Sequence, residues 1–311
     1  MKNKSTQETK LTANKTISFI KKFLIKRTYK DIPMKNILIP TDFSENCTKA
    51  AHLGIKMAKL YNAEIHFLHL ITTPVDWVKL DKLKEKRYPD TVKLIGIAKS
   101  KLLELERMAE NQGLECQTFL QFDSGQKDIL EHSGHFHHDF IITGSSGTKG
   151  RVREITGSNV EKIVRKANAP IIVVKEEEVT FPFKNILFVS SFEEDVSYPF
   201  QAVLSIAQKC DAKIHFLRIN TETDFNSIEL GLNPVKEFLQ KFPDLKNFSM
   251  NVHNESSVEE GINTFLQHQS ADLIAMSTQG KTGFLSLFSK SIAEGVTNHS
   301  ELPVMTIHIK K

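Results

Sequence analysis

Cysteine is scarce in this chain. The three present, Cys47, Cys116 and Cys210, are scattered with no Cys-x-x-Cys spacing among 311 residues. That usage suits a reducing cytoplasm and buried or idle thiols. No run of about 18 apolar residues occurs, so no segment is predicted to span a membrane and no integral membrane contact is expected. Tryptophan occurs once, at Trp77. Excess positive charge is missing from the body: residues 1–33 hold nine Lys or Arg against Glu8 and Asp31, a net +7, and the rest of the chain carries −3. With a mildly acidic body and no basic-aromatic pattern, nucleic acid is not an expected partner.

Residues 1–33 admit two readings. Ile17, Phe19, Ile20, Phe23, Leu24 and Ile25 interleave with Lys21, Lys22, Lys26 and Arg27, as in a basic amphipathic helix lying on an anionic membrane or partner. The plainer reading is a disordered extension, or a start codon upstream of Met34, where the folded pattern begins abruptly. Lysines break the apolar run short of a signal-peptide core, and no small-residue cleavage site follows. What remains is ordinary: 40% hydrophobic and 25% charged residues, a soluble globular composition of about two domains by length.

An internal repeat organises the chain. Lys35-Asn36-Ile37-Leu38 recurs as Lys184-Asn185-Ile186-Leu187, and Ala63-Glu64-Ile65-His66-Phe67-Leu68 as Ala212-Lys213-Ile214-His215-Phe216-Leu217, both at an offset of 149. Asp139-Phe140-Ile141-Ile142 meets Asp272-Leu273-Ile274-Ala275, and Ala169-Pro170-Ile171 meets Leu302-Pro303-Val304, at 133. The two offsets place a 16-residue deletion in the second copy, between the counterparts of Leu70 and Asp139. Copy one is assigned to 34–175 and copy two to 183–311, with Glu176-Glu177-Glu178 and Pro182 in the linker. In copy one, apolar runs at 36–40, 64–70, 116–122, 139–143 and 170–174 alternate with helical stripes at 50–60 and 94–108 and the start of a last helix at 159–166. Continuous Ile/Leu/Val strands separated by helices predict a parallel sheet covered on both faces. The expected fold is α/β: two tandem, doubly wound, five-stranded units of flavodoxin-like or Rossmann-like type. In such sheets ligands sit beyond the carboxyl ends of the strands, where strand order reverses.

Two loops fall there. The first strand leads into Pro40-Thr41-Asp42-Phe43-Ser44. The fourth leads into Gly144-Ser145-Ser146-Gly147, followed after nine residues by Gly157-Ser158-Asn159. Glycines let backbone N–H groups converge on an anion, and a helix opening at Ser158 adds its free N–H groups and dipole. Asp42 is placed to accept from a base amine or a sugar hydroxyl. A ligand-free reading exists for single residues, since Ser158 with Glu161 forms a capping box, repeated by Ser291 and Glu294, and Gly144 could simply end a strand. Capping does not explain the whole glycine set.

On these residues the chain resembles the universal stress protein family, whose ATP-binding members show Gly-x-x-Gly, nine residues, then Gly-[Ser/Thr] after the fourth strand. Gly144, Gly147, Gly157 and Ser158 match without a gap, as do Pro40 to Ser44, and the resemblance covers Met34 to Ile309. It implies ATP or a related adenine nucleotide, with or without Mg2+, in copy one. Pro40, Thr41 and Asp42 would then lie at the base and ribose, and Gly144, Ser145, Ser146, Gly147, Gly157, Ser158 and Asn159 at the phosphates. It also implies a stress-associated regulatory role with an unknown protein partner. The final strands, 171–174 and 304–307, would pair as an intramolecular pseudo-dimer, a further homodimer being open. Weaker alternatives are a slow ATPase or nucleotidyl transferase, for which no general base is evident beside the cradle, and a nucleotide-independent scaffold. Lys149, Arg151 and Arg153 read as a basic loop.

Copy two departs from the pattern. Ser277 replaces Gly144, Lys290 replaces Gly157, and Ser190-Ser191-Phe192 replaces Thr41-Asp42-Phe43, while Gly280 is kept. Losing even two charge-assisted contacts at roughly 1.5–3 kcal/mol each weakens binding by two or more decades, so copy two is expected to be degenerate. Gly280-Lys281-Thr282 fails as a P-loop because Ala275 stands where the first glycine is required. His132, His135, His137 and His138 cluster before the fourth strand without a completing carboxylate or thiolate, so no metal site is assigned. Trp77 is open between flanking the base and being buried over the helix at 91–109.

Overall fold

The computed structural model describes residues 34–123, 137–145, 169–175, 179–221, 227–278 and 302–308. Copy one forms β1 (Asn36–Pro40), α1 (Glu45–Tyr61), β2 (Glu64–Thr72), α2 (Lys82–Glu85), α3 (Pro89–Glu110), β3 (Cys116–Asp123), β4 (Phe140–Gly144) and β5 (Ile171–Val174). Copy two forms β6 (Asn185–Val189), α4 (Ser197–Cys210), β7 (Lys213–Asn220), α5 (Ile228–Leu239), β8 (Phe248–Asn254), α6 (Val258–His268), β9 (Leu273–Thr278) and β10 (Val304–His308). The strands join one ten-stranded sheet in the order β3-β2-β1-β4-β5-β10-β9-β6-β7-β8. Every pairing is parallel except that of β5 with β10, where Ile172 lies opposite Met305.

The inner strands read as continuous apolar runs because both faces of the sheet are buried there, while the edge strands β3 and β8 are partly exposed and mix in polar residues. Ile37, Ile39, Ile65 and Phe67 pack beneath α1 and α3 with Leu53, Met57, Leu102 and Leu105. That layer runs on without a break into copy two through Phe183, Ile186, Phe188 and Phe200. Leu38, Leu68, Ile141 and Ile171 point the other way, into a second layer with Leu187, Leu217 and Phe265.

Capping and backbone detail repeat at the offsets seen in the sequence. Phe43 and Phe192 both adopt left-handed φ, 64° and 59°, a rare choice for bulky residues. Asn62 closes α1 at φ 54° and Asp211 closes α4 at φ 52°, each donating its N–H to the carbonyl four residues back. Asn and Asp tolerate this conformation, which is why they stand where glycine otherwise ends a helix. The Asp139 carboxylate accepts from the N–H groups of Lys35 (2.7 Å) and Asn36 (3.1 Å), and Asp272 does the same for Lys184 (2.6 Å) and Asn185 (2.8 Å).

The copies differ most between their second and third strands, where α3 has 22 residues and α5 has 12. The sequence stripe at 94–108 understated α3, which starts at Pro89, a residue whose fixed φ suits a first helical turn. The four-residue α2 carries no apolar periodicity and was not foreseen. The expected helix at 159–166 and linker residues 176–178 lie outside the described residues, as do residues 1–33.

Candidate functional site

In copy one β1 lies between β2 and β4, so the path of the chain reverses there and a crevice is left at the carboxyl ends. Thr41 is buried, and its N–H extends the β ladder to the carbonyl of Leu68 (2.8 Å). Its hydroxyl accepts from the N–H of Phe43 (3.0 Å), while its carbonyl accepts from Nδ1 of His69 (2.7 Å). The His69 ring also packs on Phe43, with centroids 4.3 Å apart. Burial pulls His69 below its ordinary pKa, against the opposing pull of the Thr41 carbonyl. Pro40 is buried at the end of β1, and the exposed Asp42 stands at the crevice. Asp42 Oδ1 accepts from the N–H of Ser44 (2.8 Å). Partial burial works against the Asp42 charge, but hydrogen bonds from the Ser44 hydroxyl and N–H outweigh it and hold the carboxyl below its usual value. Ser44 then caps α1 by accepting from the N–H of Cys47 (3.3 Å). Burial first, and then the charge of Asp42, push the Cys47 thiol up to about 11.

Gly144 ends β4 against the first turn of α1. A Cβ placed on it would lie 2.5 Å from Asn46 C and Cys47 N and 2.8 Å from Asn46 O. The glycine is therefore required by helix approach, beyond ending a strand. Ser145 donates its N–H to the Val174 carbonyl (2.7 Å). The buried Asn46, which the sequence reading missed, donates from Nδ2 to the carbonyl of Ser145 (2.9 Å). Thr41, Asp42, Gly144 and Ser145 thus converge at one crevice. Ser146, Gly147, Gly157, Ser158 and Asn159 lie outside the described residues, as do Lys149, Arg151 and Arg153.

In copy two a buried arginine network ties down the loop after β6. Arg218 stands at the counterpart of His69 and is 5% exposed. Its guanidinium donates to the Ser191 carbonyl (2.9 Å), Glu193 Oε1 (2.9 Å) and Asn220 Oδ1 (3.0 Å), and Asn220 donates on to Asn254 (2.8 Å). The helix has also retreated: α1 begins at Glu45, but α4 begins at Ser197, three residues after the counterpart Glu194. At the counterpart of Gly144 stands Ser277, whose hydroxyl donates to the Ser190 hydroxyl at 3.4 Å. An arginine inside an otherwise apolar strand was the available sequence signal. Lys290 and Gly280 lie outside the described residues.

The remaining candidates resolve as packing. Trp77 is buried, against Tyr88 and Phe122. His66 Nδ1 lies 2.9 Å from His138 Nε2, and His215 bonds Ser249 (2.7 Å) and Asn185 (3.2 Å). His137 offers its backbone carbonyl to Asn36 (3.1 Å), and His132 and His135 lie outside the described residues. Among the described residues no cluster of three metal-capable side chains occurs, and no helix is long and apolar enough to cross a membrane.

The model of the universal stress protein family matches this chain twice, over residues 33–175 and 182–308. The chain belongs to the universal stress protein family. It holds two such domains in tandem. A universal stress protein of Methanocaldococcus jannaschii is 26% identical over 150 residues, covering 46% of this chain and 82% of that protein. Among solved structures, a universal stress protein from Archaeoglobus fulgidus aligns with a TM-score of 0.68 at 19% identity, over 89% of this chain and 97% of its own. The cytoplasmic domain of a prokaryotic cation chloride cotransporter aligns at 0.51 and 12% identity over 88% and 94%. Both likenesses are of fold.

Proposed function

We propose that this tandem universal stress protein is a stress-associated regulator that binds ATP or a related adenine nucleotide in copy one, with copy two as a closed structural partner. The observation carrying this reading is the difference between two equivalent crevices. In copy one the half-buried His69 bonds the Thr41 carbonyl beneath the β1 loop, and Gly144 is pressed on a helix N-terminus, whose N–H groups and dipole favour an anion. In copy two the counterparts of His69 and Ser44 are Arg218 and Glu193, which pair with each other at 2.9 Å and tie the loop to the second strand. The antiparallel β5–β10 pairing supports an intramolecular pseudo-dimer made of domains 34–175 and 183–311, in which occupancy of one copy is read through the shared sheet.

The test is to denature freshly purified full-length protein and identify released nucleotide by mass, with its molar ratio to chain. About one adenine nucleotide per chain is expected. Close to two removes the assignment of copy two as closed. None, followed by no calorimetric binding of added ATP with or without magnesium, replaces the nucleotide reading with that of a protein-binding scaffold. ADP recovered after loading with pure ATP would favour slow hydrolysis.

A further inference from the structure

We propose that the segment joining β2 to α3 in copy one, residues 73–88, is a contact surface for an anionic lipid bilayer. This surface is independent of the nucleotide reading. Val78 and Leu83 are the most exposed large apolar side chains among the described residues, at 76% and 77%. Single exposed aliphatic groups are ordinary, but these two are set among Lys79, Lys82, Lys84, Lys86 and Arg87, in a body that carries net negative charge. All five cations are exposed. Lys79 pairs with Asp76 at 2.9 Å, and the Asp81 carboxylate is turned to the N–H of Leu83 (2.9 Å). Among the described residues Lys82, Lys84, Lys86 and Arg87 enter no ion pair, so their charge faces solvent.

The segment is held from behind. Trp77 is 8% exposed and packs against Tyr88 and Phe122, with ring centroids 6.1 and 6.3 Å away. Its carbonyl accepts from the N–H of Leu80 (3.2 Å), and the Thr73 hydroxyl donates to the Val75 carbonyl (2.8 Å). Val78 is thus presented from a buried anchor, and little ordering entropy is lost on contact. Side chains that stand three-quarters exposed project from the surface rather than line a groove. A bilayer yields to such projections, and its anionic headgroups match the cations around them. Copy two supplies the contrast. Ile228 and Leu230 are also exposed, at 58% each, but Glu229 stands between them and α5 holds no cation before Lys236.

The test uses the full chain, with Trp77, its single tryptophan, reporting from beside Val78. The protein is mixed with vesicles of phosphatidylcholine, alone or with phosphatidylserine, whose brominated acyl chains quench tryptophan at short range. Sedimentation with the anionic vesicles only, weakened by salt, is expected together with quenching of Trp77. Val78→Ser with Leu83→Ser, and separately Lys82→Ser with Lys84→Ser, should each lower partitioning through this segment about tenfold or more and remove the quenching. Melting midpoints should not change, because all four side chains are exposed. Ile228→Ser with Leu230→Ser should sediment and quench like wild type.

No sedimentation of the wild-type chain overturns the proposal. So does sedimentation without quenching, which contact through residues 1–33 would give, or quenching that survives in either of the first two variants. A labelled polyglutamate peptide is the competing probe: if it binds through the same lysines while the vesicles leave Trp77 unquenched, the surface belongs to an acidic protein partner and the bilayer assignment falls.

Discussion

Replacing Gly144 by alanine adds one methyl group at the tightest point between sheet and helix. Gly144 does not adopt positive φ, so alanine meets no backbone obstacle, and reduced freedom of the unfolded chain would by itself stabilise by about 0.4–1 kcal/mol. Against this, the new Cβ would sit 2.5 Å from two backbone atoms of α1. Overpacking costs about 1–3 kcal/mol, and a clash with capped helix backbone belongs at the upper end because no side chain can swing away. The net expectation is a loss of about 2 kcal/mol, or about 4–8 °C in melting midpoint for a cooperative unit of this size. Gly96 supplies the control: it lies exposed within α3, and a Cβ there meets nothing within 4 Å. Gly96→Ala should raise stability by up to about 1 kcal/mol. The assay is thermal and denaturant unfolding of both variants beside wild type. If Gly144→Ala melts at or above wild type while Gly96→Ala behaves as expected, the close approach of α1 is refuted. Gly144→Ser should further loosen the first turn of α1, as in copy two, read as faster amide exchange at Cys47 and Thr48.

Arg218→Ala strips donors from the Ser191 carbonyl and Asn220, and is expected to destabilise by about 1–3 kcal/mol in denaturant unfolding, without creating ATP binding by calorimetry; a second bound nucleotide would show that Arg218 alone closes copy two. The Cys47 thiol ionises at 9.0 when unperturbed and at about 11 in the fold, so the unfolded chain releases its proton first and stability is lost as pH rises between these values. Unfolding midpoints measured across that window should decline less steeply for Cys47→Ser, and equal slopes would refute the contribution.

The duplication was legible because repeated tetrapeptides fix both the strand starts and the turns that close each helix. Asn62 and Asp211 could be paired by offset before any coordinates, and so could Asp139 and Asp272. Strand type followed from the apolar runs, since a strand buried on both faces has no polar side to confuse the reading. The conformation of the first loop is local, as Thr41 and Asp42 bond close to their own backbone. Asn46 and Arg218 escaped notice because their meaning is tertiary: each grips a carbonyl on a loop distant in sequence or across the crevice. Gly144 is expected from its motif to serve a phosphate loop, but its contact with α1 appears only when the helix is in place. The 16-residue difference was bracketed correctly, yet its expression as a shortened helix was not, because helix length is set by the β2–β3 crossover that it must cover.

The antiparallel joint between β5 and β10 reverses the sense of five strands at once. Carboxyl ends of copy one therefore line one rim of the sheet, and those of copy two line the other. Four strand spacings of about 4.8 Å separate the two crevices, roughly 20 Å along the sheet. A small molecule lodged in the first cannot touch the second, and a macromolecule seated over the first need not encounter Arg218. The two copies are thus free to diverge chemically while remaining mechanically continuous, so a fluorophore or affinity tag fixed near Arg218 would report on sheet distortion without competing for the nucleotide.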